Sequence, residues 1–244
     1  NPSGTMFAKK DLEDICDLIL EENKSRGAHE KPLYLLYDQI YALLTFGTNK
    51  HYNPVTLRPE IKPYTVYIDG TSKCFAATGV RVGWGFGPDN IISKMRAILS
   101  HIGAWAPKPE RMATAKFLTQ KDDLNTYLNL FKGKIQTSLD ALYQGIQELK
   151  SAGFKVDAIS PMGAIYLTVQ INYVGKTTPD GDLLKTSSDI NFYLIKEAKV
   201  ALVPFSAFGT DESVNWFRAS VGACSLEDIV AMLPRLKSAL QKLK

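Results

Sequence analysis

The chain has 244 residues, a length that suits one large domain or two of medium size. With 45% hydrophobic and 22% charged residues it has the composition of a folded globular protein, which argues against wholesale disorder. Basic residues outnumber acidic ones only by 29 to 25 and are scattered, so the concentrated basic face of a nucleic-acid-binding protein is not expected.

The first part of the chain alternates between helical and strand patterns. Apolar residues at helical spacing predict a helix over 8–26, and Asp89 could cap another over 91–102. Short β-rich runs predict strands at 33–37, 64–68 and 80–86. This alternation is typical of an α/β domain with a largely parallel sheet, which binds ligands beyond the carboxyl ends of its strands. Asp38 and the residues after Ile68 lie at that edge.

The second part of the chain follows a boundary marked by Pro107 and Pro109. A long helical stretch is predicted over 111–152, and Gly133 is the point where it could break. The remaining pattern indicates strands at 158–159, 165–169, 201–203 and 216–221, a surface loop at 172–188 and a closing helix at 226–243. Because strands and helices no longer alternate, we expect two domains, an α/β domain over 1–106 and a smaller α+β domain over 107–244.

Cysteine content and hydropathy bear on the location of the protein. The three cysteines, Cys16, Cys74 and Cys224, are odd in number and lack metal-ligand spacing, which favours reduced thiols in a cytoplasm. No run reaches the roughly 18 apolar residues that span a bilayer, and the polar, turn-like start is unlike a signal peptide. We therefore expect a cytoplasmic protein with no membrane or nucleic-acid partner and no metal site.

The most informative segment surrounds Lys73. This lysine follows a predicted strand end, Gly70 and two hydroxyl residues, and Arg81 comes eight residues later. Burial or a nearby cation lowers the pKa of a lysine and makes it a nucleophile, while the planar arginine fork suits a phosphate. A lysine beside anion-binding groups is the arrangement that covalent binding of pyridoxal phosphate needs. By composition alone this signal is weak, because most such pairs of lysine and arginine are solvated surface charges.

A wider pattern resembles the class I/II aminotransferases, which are fold-type I pyridoxal phosphate enzymes. The segment 72–84, with Lys73, Thr78, Gly79 and Arg81, resembles their lysine signature. Segments 1–4 and 38–41 are similar to the family's Asn-Pro-Thr-Gly and Asp-Glu-Ile-Tyr motifs. Segments 161–166 and 205–209 are similar to its Pro-x-Gly-x-Phe-Tyr and Pro-Gly-x-x-Phe-Gly motifs. Segment 217–220 is similar to its strand with a carboxylate-binding arginine. The resemblance implies part of a mostly parallel-sheet, cofactor-binding large domain followed by the small carboxyl-terminal domain.

The resemblance implies a role for each matching residue. Lys73 would hold the cofactor covalently and, once displaced by the substrate amine, would carry a proton between substrate and cofactor carbons. Asp38 would pair with the pyridine nitrogen and keep it protonated. Arg218 would clamp the substrate carboxylate with two parallel hydrogen bonds.

The remaining implied contacts also concern the cofactor. Tyr41 and Asn1 would hydrogen-bond its phenolic oxygen, and Arg81 with either Ser72 or Thr71 would hold its phosphate. Taken singly, such residues more often cap a turn, pair with a neighbouring charge or face solvent.

Departures from the family pattern are few but one is large. Gln39 stands in place of the usual Glu, at a position without a direct cofactor role. The segment from Leu167 to Asp189 is longer than the common pattern and could select substrate or decorate the surface. The motif at 1–4 lies mid-chain in the family, after a glycine-rich phosphate loop and a ring-stacking aromatic residue. The chain therefore resembles the carboxyl-terminal portion of an aminotransferase, and a companion chain, self-association or a longer protein is expected to supply the rest.

Three hypotheses about function remain open. The first is a homodimeric pyridoxal phosphate-dependent aminotransferase that moves an amino group from an L-amino acid to a 2-oxo acid. The second is a β-lyase, decarboxylase or synthase of the same fold, because the fold does not fix which bond at Cα is broken. The third is a non-catalytic structural fragment of the fold.

Overall fold

A computed structural model describes residues 1–27 and 29–244 and divides them into two compact units. One unit is Met6–Phe131, and the other joins Asn1–Thr5 to Lys132–Lys244. The domains expected over 1–106 and 107–244 stay a prediction.

The Met6–Phe131 unit contains a three-stranded sheet of β1 (Leu35–Asp38), β2 (Thr65–Gly70) and β3 (Gly83–Phe86). Strands β1 and β2 are parallel, with Asp38 opposite Ile68, whereas β3 runs antiparallel to β2 with Gly83 opposite Gly70. The carboxyl ends of β1 and β2 therefore meet at one edge of the sheet. The segment that joins β2 to β3 starts and finishes at that same edge.

Five α-helices begin in the described part of this unit. They are α1 (Lys9–Ser25), α2 (Pro54–Leu57), α3 (Asp89–Ile102), α4 (Lys108–Thr119) and α5 (Lys121–Ser151). Helix α1 buries Cys16 and Ile19 against Ile61 in a small apolar core. Arg58 fixes the same helix by donating to both carboxylate oxygens of Asp17, at 2.7 and 3.0 Å. Such a two-pronged pair fixes orientation as well as distance.

The helical stretch predicted over 111–152 is two helices that break at Gln120, where the backbone N donates to Phe117 O at 2.9 Å. Helix α5 continues through Gly133, so the break expected there was wrong. A single glycine costs a helix only about 1 kcal/mol. Burial of the following apolar stripe, which includes Leu139 and Ile146, outweighs that cost.

The second unit contains a four-stranded antiparallel sheet in the order β4-β5-β7-β6. Its strands are β4 (Val156–Ala158), β5 (Tyr166–Ile171), β6 (Val203–Pro204) and β7 (Trp216–Ser220). Helices α6 (Ser187–Ala198) and α7 (Leu226–Gln241) belong to the same unit. The core includes Leu167, Ile171 and Phe217, each with no exposed area.

Helix α6 was not predicted, and the loop expected over 172–188 ends where it begins. Thr186 and Asp189 form a capping box, in which Asp189 N donates to the Thr186 hydroxyl at 3.1 Å and Thr186 N donates to the Asp189 carboxylate at 2.9 Å. The apolar residues Ile190 and Leu194 follow and are buried. The Thr-x-x-Asp pattern before an apolar run was the sequence signal for this helix.

Candidate active site

Asp38 is the last residue of β1 and is exposed at the carboxyl edge of the parallel pair. Its Oδ1 accepts a hydrogen bond from Ile40 N at 3.0 Å. The next residue, Gln39, donates its backbone N–H to Ile68 O at 2.9 Å, which extends the parallel ladder by one residue. The ladder therefore fixes the backbone on both sides of Asp38.

The connection from β2 to β3 carries four of the predicted site residues: Thr71, Ser72, Lys73 and Arg81. Thr71 closes the base of this connection, because its backbone N and its hydroxyl both donate to Val82 O at 3.1 Å. Lys73 and Ser72 are half-buried, and within 1–27 and 29–244 neither side chain has a hydrogen bond or ion pair. Lys73 thus shares its sheet edge with Asp38.

Two residues of this connection have unusual backbone conformations. Ala76 and Arg81 have φ of +49° and +58°, a region that residues with a Cβ rarely adopt. Arg81 Nη1 donates to Thr78 O at 2.8 Å, so the connection itself anchors the exposed guanidinium. Each such conformation costs on the order of 1–3 kcal/mol and is retained mainly at binding sites.

Tyr41 lies three residues after Asp38, half-buried in a turn closed by a hydrogen bond from Ala42 N to Gln39 O at 2.8 Å. The structure therefore brings Asp38, Tyr41 and the Lys73 connection to one edge of one unit.

Asp69, near the end of β2, interacts with Gln39, His51 and Cys74, a polar cluster that the sequence did not reveal. Asp69 accepts from Gly70 N at 2.7 Å and from Gln39 Nε2 at 3.1 Å, while burial raises its pKa. Burial lowers the pKa of His51, and the negative charge of Asp69 partly offsets this by raising it. Burial, with the Asp69 charge as a smaller cause, raises the pKa of Cys74 to about 11, which disfavours the nucleophilic thiolate form. The position of Asp69, directly before Gly70 of the lysine segment, was the available signal.

Arg218 and Asn1 meet in the other unit. Arg218 lies on β7, and its Nη1 donates to Asn1 Oδ1 at 3.1 Å, although 217 residues separate the two in the chain. The guanidinium carbon lies 4.8 Å from the ring centroid of Phe208 and 5.1 Å from that of Tyr166. Two aromatic rings therefore hold the arginine side chain.

The Nε of Arg218 is buried and has no hydrogen-bond partner in the described part of the chain. A buried donor without an acceptor is costly, and a carboxylate is the group whose two oxygens match the arginine fork. The geometry around Arg218 thus fits an incoming carboxylate.

The segment that carries Asn1 is fixed on the same unit. Gly4 O accepts from Met162 N at 3.2 Å and from Gly163 N at 3.1 Å. The Thr168 hydroxyl donates to Ser3 O at 2.7 Å. These bonds hold Asn1–Thr5 in place and so set the position of Asn1 relative to Arg218.

The predicted site residues form two groups, one in each unit. The first group is Asp38, Tyr41, Thr71, Ser72, Lys73 and Arg81, and the second is Asn1 and Arg218. The helices within 1–27 and 29–244 include none with both the length and the apolar character to cross a membrane.

Comparison with known proteins identifies relatives along the whole chain. The sequence model of the family "Aminotransferase class I and II" matches residues 1–236. The aspartate aminotransferase of Rhizobium meliloti (strain 1021) is 29% identical over 244 residues, which are 100% of this chain and 55% of that protein. A probable aspartate/prephenate aminotransferase of Rickettsia prowazekii is 28% identical over 100% of this chain and 56% of its own length.

Solved structures agree with the sequence comparison. The crystal structure of the Rhizobium meliloti aspartate aminotransferase has a TM-score of 0.85 at 28% identity, over 100% of this chain and 56% of that one. An aromatic aminotransferase from Pyrococcus horikoshii has a TM-score of 0.83 at 25% identity, over 99% of this chain and 57% of that one. The predicted α/β fold class is thereby confirmed. The chain spans about 55% of the length of the curated relatives it matches.

Proposed function

The chain belongs to the class I and II aminotransferase family, and from this premise we propose that it carries part of the active site of a pyridoxal phosphate-dependent aminotransferase. The observation that carries the proposal is the shared sheet edge of Lys73 and Asp38. One pyridoxal phosphate molecule needs both an amine for its aldehyde and a carboxylate for its ring nitrogen. Asp38 ends β1 and Lys73 follows the neighbouring parallel strand β2, so both can reach a cofactor from the same edge of the sheet.

The side chains at this edge fit pyridoxal phosphate. Arg81, in its strained and anchored conformation, offers guanidinium donors to the phosphate. The hydroxyl hydrogen of Thr71 already goes to Val82 O, whereas Ser72 Oγ has no partner within 1–27 and 29–244. Of the two hydroxyl residues, we therefore assign Ser72 to the phosphate and Thr71 to the base of the connection.

When bound, pyridoxal phosphate supplies an aromatic ring that accepts the electron pair left at the substrate Cα. Lys73 would hold the cofactor through its amine and, once displaced by the substrate amine, would carry the proton that leaves Cα. Asp38 stabilises a proton on the ring nitrogen. Tyr41 would donate to the phenolic oxygen of the cofactor, a role that the resemblance also gives to Asn1.

Arg218 selects the carboxylate of an amino acid or a 2-oxo acid. The two rings beside it restrict the orientation of its planar guanidinium, and its buried Nε has no acceptor in the described part of the chain. Asn1 accepts a hydrogen bond from Arg218 and so takes part in holding its guanidinium. The expected reaction is amino-group transfer from an L-amino acid to a 2-oxo acid. The homodimer, the companion chain and the cytoplasmic location stay predictions.

The proposal is tested by trapping the cofactor. We expect the protein mixed with pyridoxal phosphate to develop a visible absorption band, and borohydride to attach the cofactor to Lys73, located by peptide mass spectrometry. Lys73→Ala should lose both signals, while Lys62→Ala, at an exposed lysine, keeps them.

Turnover with a panel of amino acids separates the hypotheses that remain. Product that depends on an added 2-oxo acid indicates an aminotransferase, whereas product formed without one indicates a lyase or decarboxylase. Absence of any adduct at Lys73 contradicts the proposal and favours the non-catalytic fragment.

A further inference from the structure

Gln39 occupies a position between the two groups that the proposed function needs. It follows Asp38 directly, and its side-chain Nε2 donates to Asp69 Oδ2 at 3.1 Å. Its backbone N also donates to Ile68 O at 2.9 Å. Two hydrogen bonds thus connect the residue after Asp38 to the last part of β2.

Asp69 continues this connection toward the lysine. Its Oδ1 accepts from Gly70 N at 2.7 Å, and Lys73 follows four residues after Asp69. Gly70 O in turn accepts from the Cys74 thiol at 3.5 Å. A chain of hydrogen bonds therefore runs from the end of β1 to the residue beside Lys73.

The charges at this edge favour an amide at position 39. Asp69 is half-buried, and the nearby Asp38 carboxylate adds to the burial that raises its pKa. A carboxylate at position 39 would remove one of the two donors to Asp69 and add a third negative charge. Buried carboxylates that lose a donor are destabilised, and like charges at contact repel.

The sequence has Gln at this position, where the resemblance leads one to expect Glu. An amide at one of positions 39 and 69 can donate a hydrogen bond to a carboxylate at the other. Two carboxylates at these positions cannot form this hydrogen bond unless one of them is protonated. An amide at position 39 therefore suits the carboxylate at position 69.

We infer that Gln39 and Asp69 form a positioning pair that sets the Lys73 connection relative to Asp38, and that Gln at position 39 compensates for the carboxylate at position 69. The consequence at Lys73 rests on the proposed function, whereas the coupling of the two side chains does not.

The coupling is tested with Gln39→Glu, Asp69→Asn and the double variant. Without added cofactor, Gln39→Glu should raise the unfolding equilibrium constant measured in urea by roughly tenfold, since a hydrogen bond to a charged acceptor is lost. Amide hydrogen exchange over 70–82 should accelerate in the same variant. The double variant should recover most of both effects, because it restores one amide and one carboxylate. Losses that simply multiply in the double variant would overturn the inference.

The positioning role is tested at Lys73. Gln39→Glu should raise the pyridoxal phosphate concentration for half-maximal borohydride trapping by roughly tenfold, and the double variant should return it to within about threefold of the original. Ile61→Val is the matched control, because Ile61 is buried in the apolar core of α1. It should lower stability in urea and leave the half-maximal concentration unchanged.

The remaining outcomes are also decisive. If Gln39→Glu changes stability but not cofactor trapping, the pair is only structural and the positioning role is wrong. If the unchanged protein traps no pyridoxal phosphate, the proposed function fails, and hydrogen exchange over 70–82 decides whether the pair positions the connection.

Discussion

Phe208 is the residue through which the carboxylate site can be tested most directly. Its ring centroid lies 4.8 Å from the guanidinium carbon of Arg218, and the residue is 41% exposed, so its removal should leave the fold intact. We expect Phe208→Ala to weaken 2-oxo acid binding by about two- to thirtyfold, the range of a cation–π contact of roughly 0.5–2 kcal/mol. Isothermal titration calorimetry measures the dissociation constant.

Two further variants at position 208 distinguish the ring from its bulk. Phe208→Tyr keeps an aromatic face and should bind like the unchanged protein, whereas Phe208→Leu keeps apolar volume and should resemble Phe208→Ala. Equal binding by the leucine and tyrosine variants would show that the ring does not hold Arg218.

At the same scale, the motifs brought candidate residues together but did not separate their proposed roles. Lys73 and Asp38 were predicted from motifs, and the structure places both at one sheet edge, while their roles stay a prediction. The choice between Thr71 and Ser72 depends on where Val82 O lies, which no local pattern contains. Asp69 was missed because its importance comes from Gln39, 30 residues away in the chain.

Among the elements, the segment Asn1–Thr5 depends on Gly4. This glycine has φ of +71°, and a Cβ there would overlap the carbonyl oxygen of Tyr166 on β5. We expect Gly4→Ala to lower the free energy of unfolding by more than the roughly 1 kcal/mol that alanine at positive φ costs, because backbone must also move. Urea denaturation measures the change.

Gly153 provides a matched control for that variant. It has φ of +89°, and a Cβ added there would have no neighbour within 4 Å. Gly153→Ala therefore carries the conformational cost alone. Equal losses of stability in the two alanine variants would contradict the close approach at Tyr166.

Elements were predictable where local patterns decide them. The apolar periodicity of α1 and the β-rich runs of β1 and β2 led to the right element types within a few residues. The direction of β3 was not predictable, because its antiparallel pairing depends on the fold of the connection through Lys73. Helix α6 was missed although its capping box is local, since the Gly- and Ser-rich run before it indicated a loop.

For the molecule as a whole, the order of the motifs along the chain carried the family assignment. No single segment was specific, but the landmarks occurred in the family's order, and the family match covers residues 1–236. In the folded chain, Asn1 of the first motif pairs with Arg218 of the last across 217 residues. Sequence alone could not supply this contact, because it arises only when Asn1–Thr5 joins the second unit.

Global stability should depend on pH through His51. The centroids of the His51 and Tyr37 rings lie 5.7 Å apart. Burial lowers the pKa of His51 below the ordinary 6.5. Between the lowered and the ordinary pKa the unfolded chain binds more protons than the folded one, so the free energy of unfolding should fall as pH drops from about 7 through this interval. Asp69 acts in the opposite sense at lower pH, because its raised pKa makes proton binding favour the folded state.

His51→Gln removes the titrating group, so urea denaturation at a series of pH values should show a flatter dependence in this variant. His101→Gln is the control, because His101 is exposed near the end of α3, and its curve should follow that of the unchanged protein. An unaltered slope in the His51 variant would mean that groups other than His51 release the protons on folding.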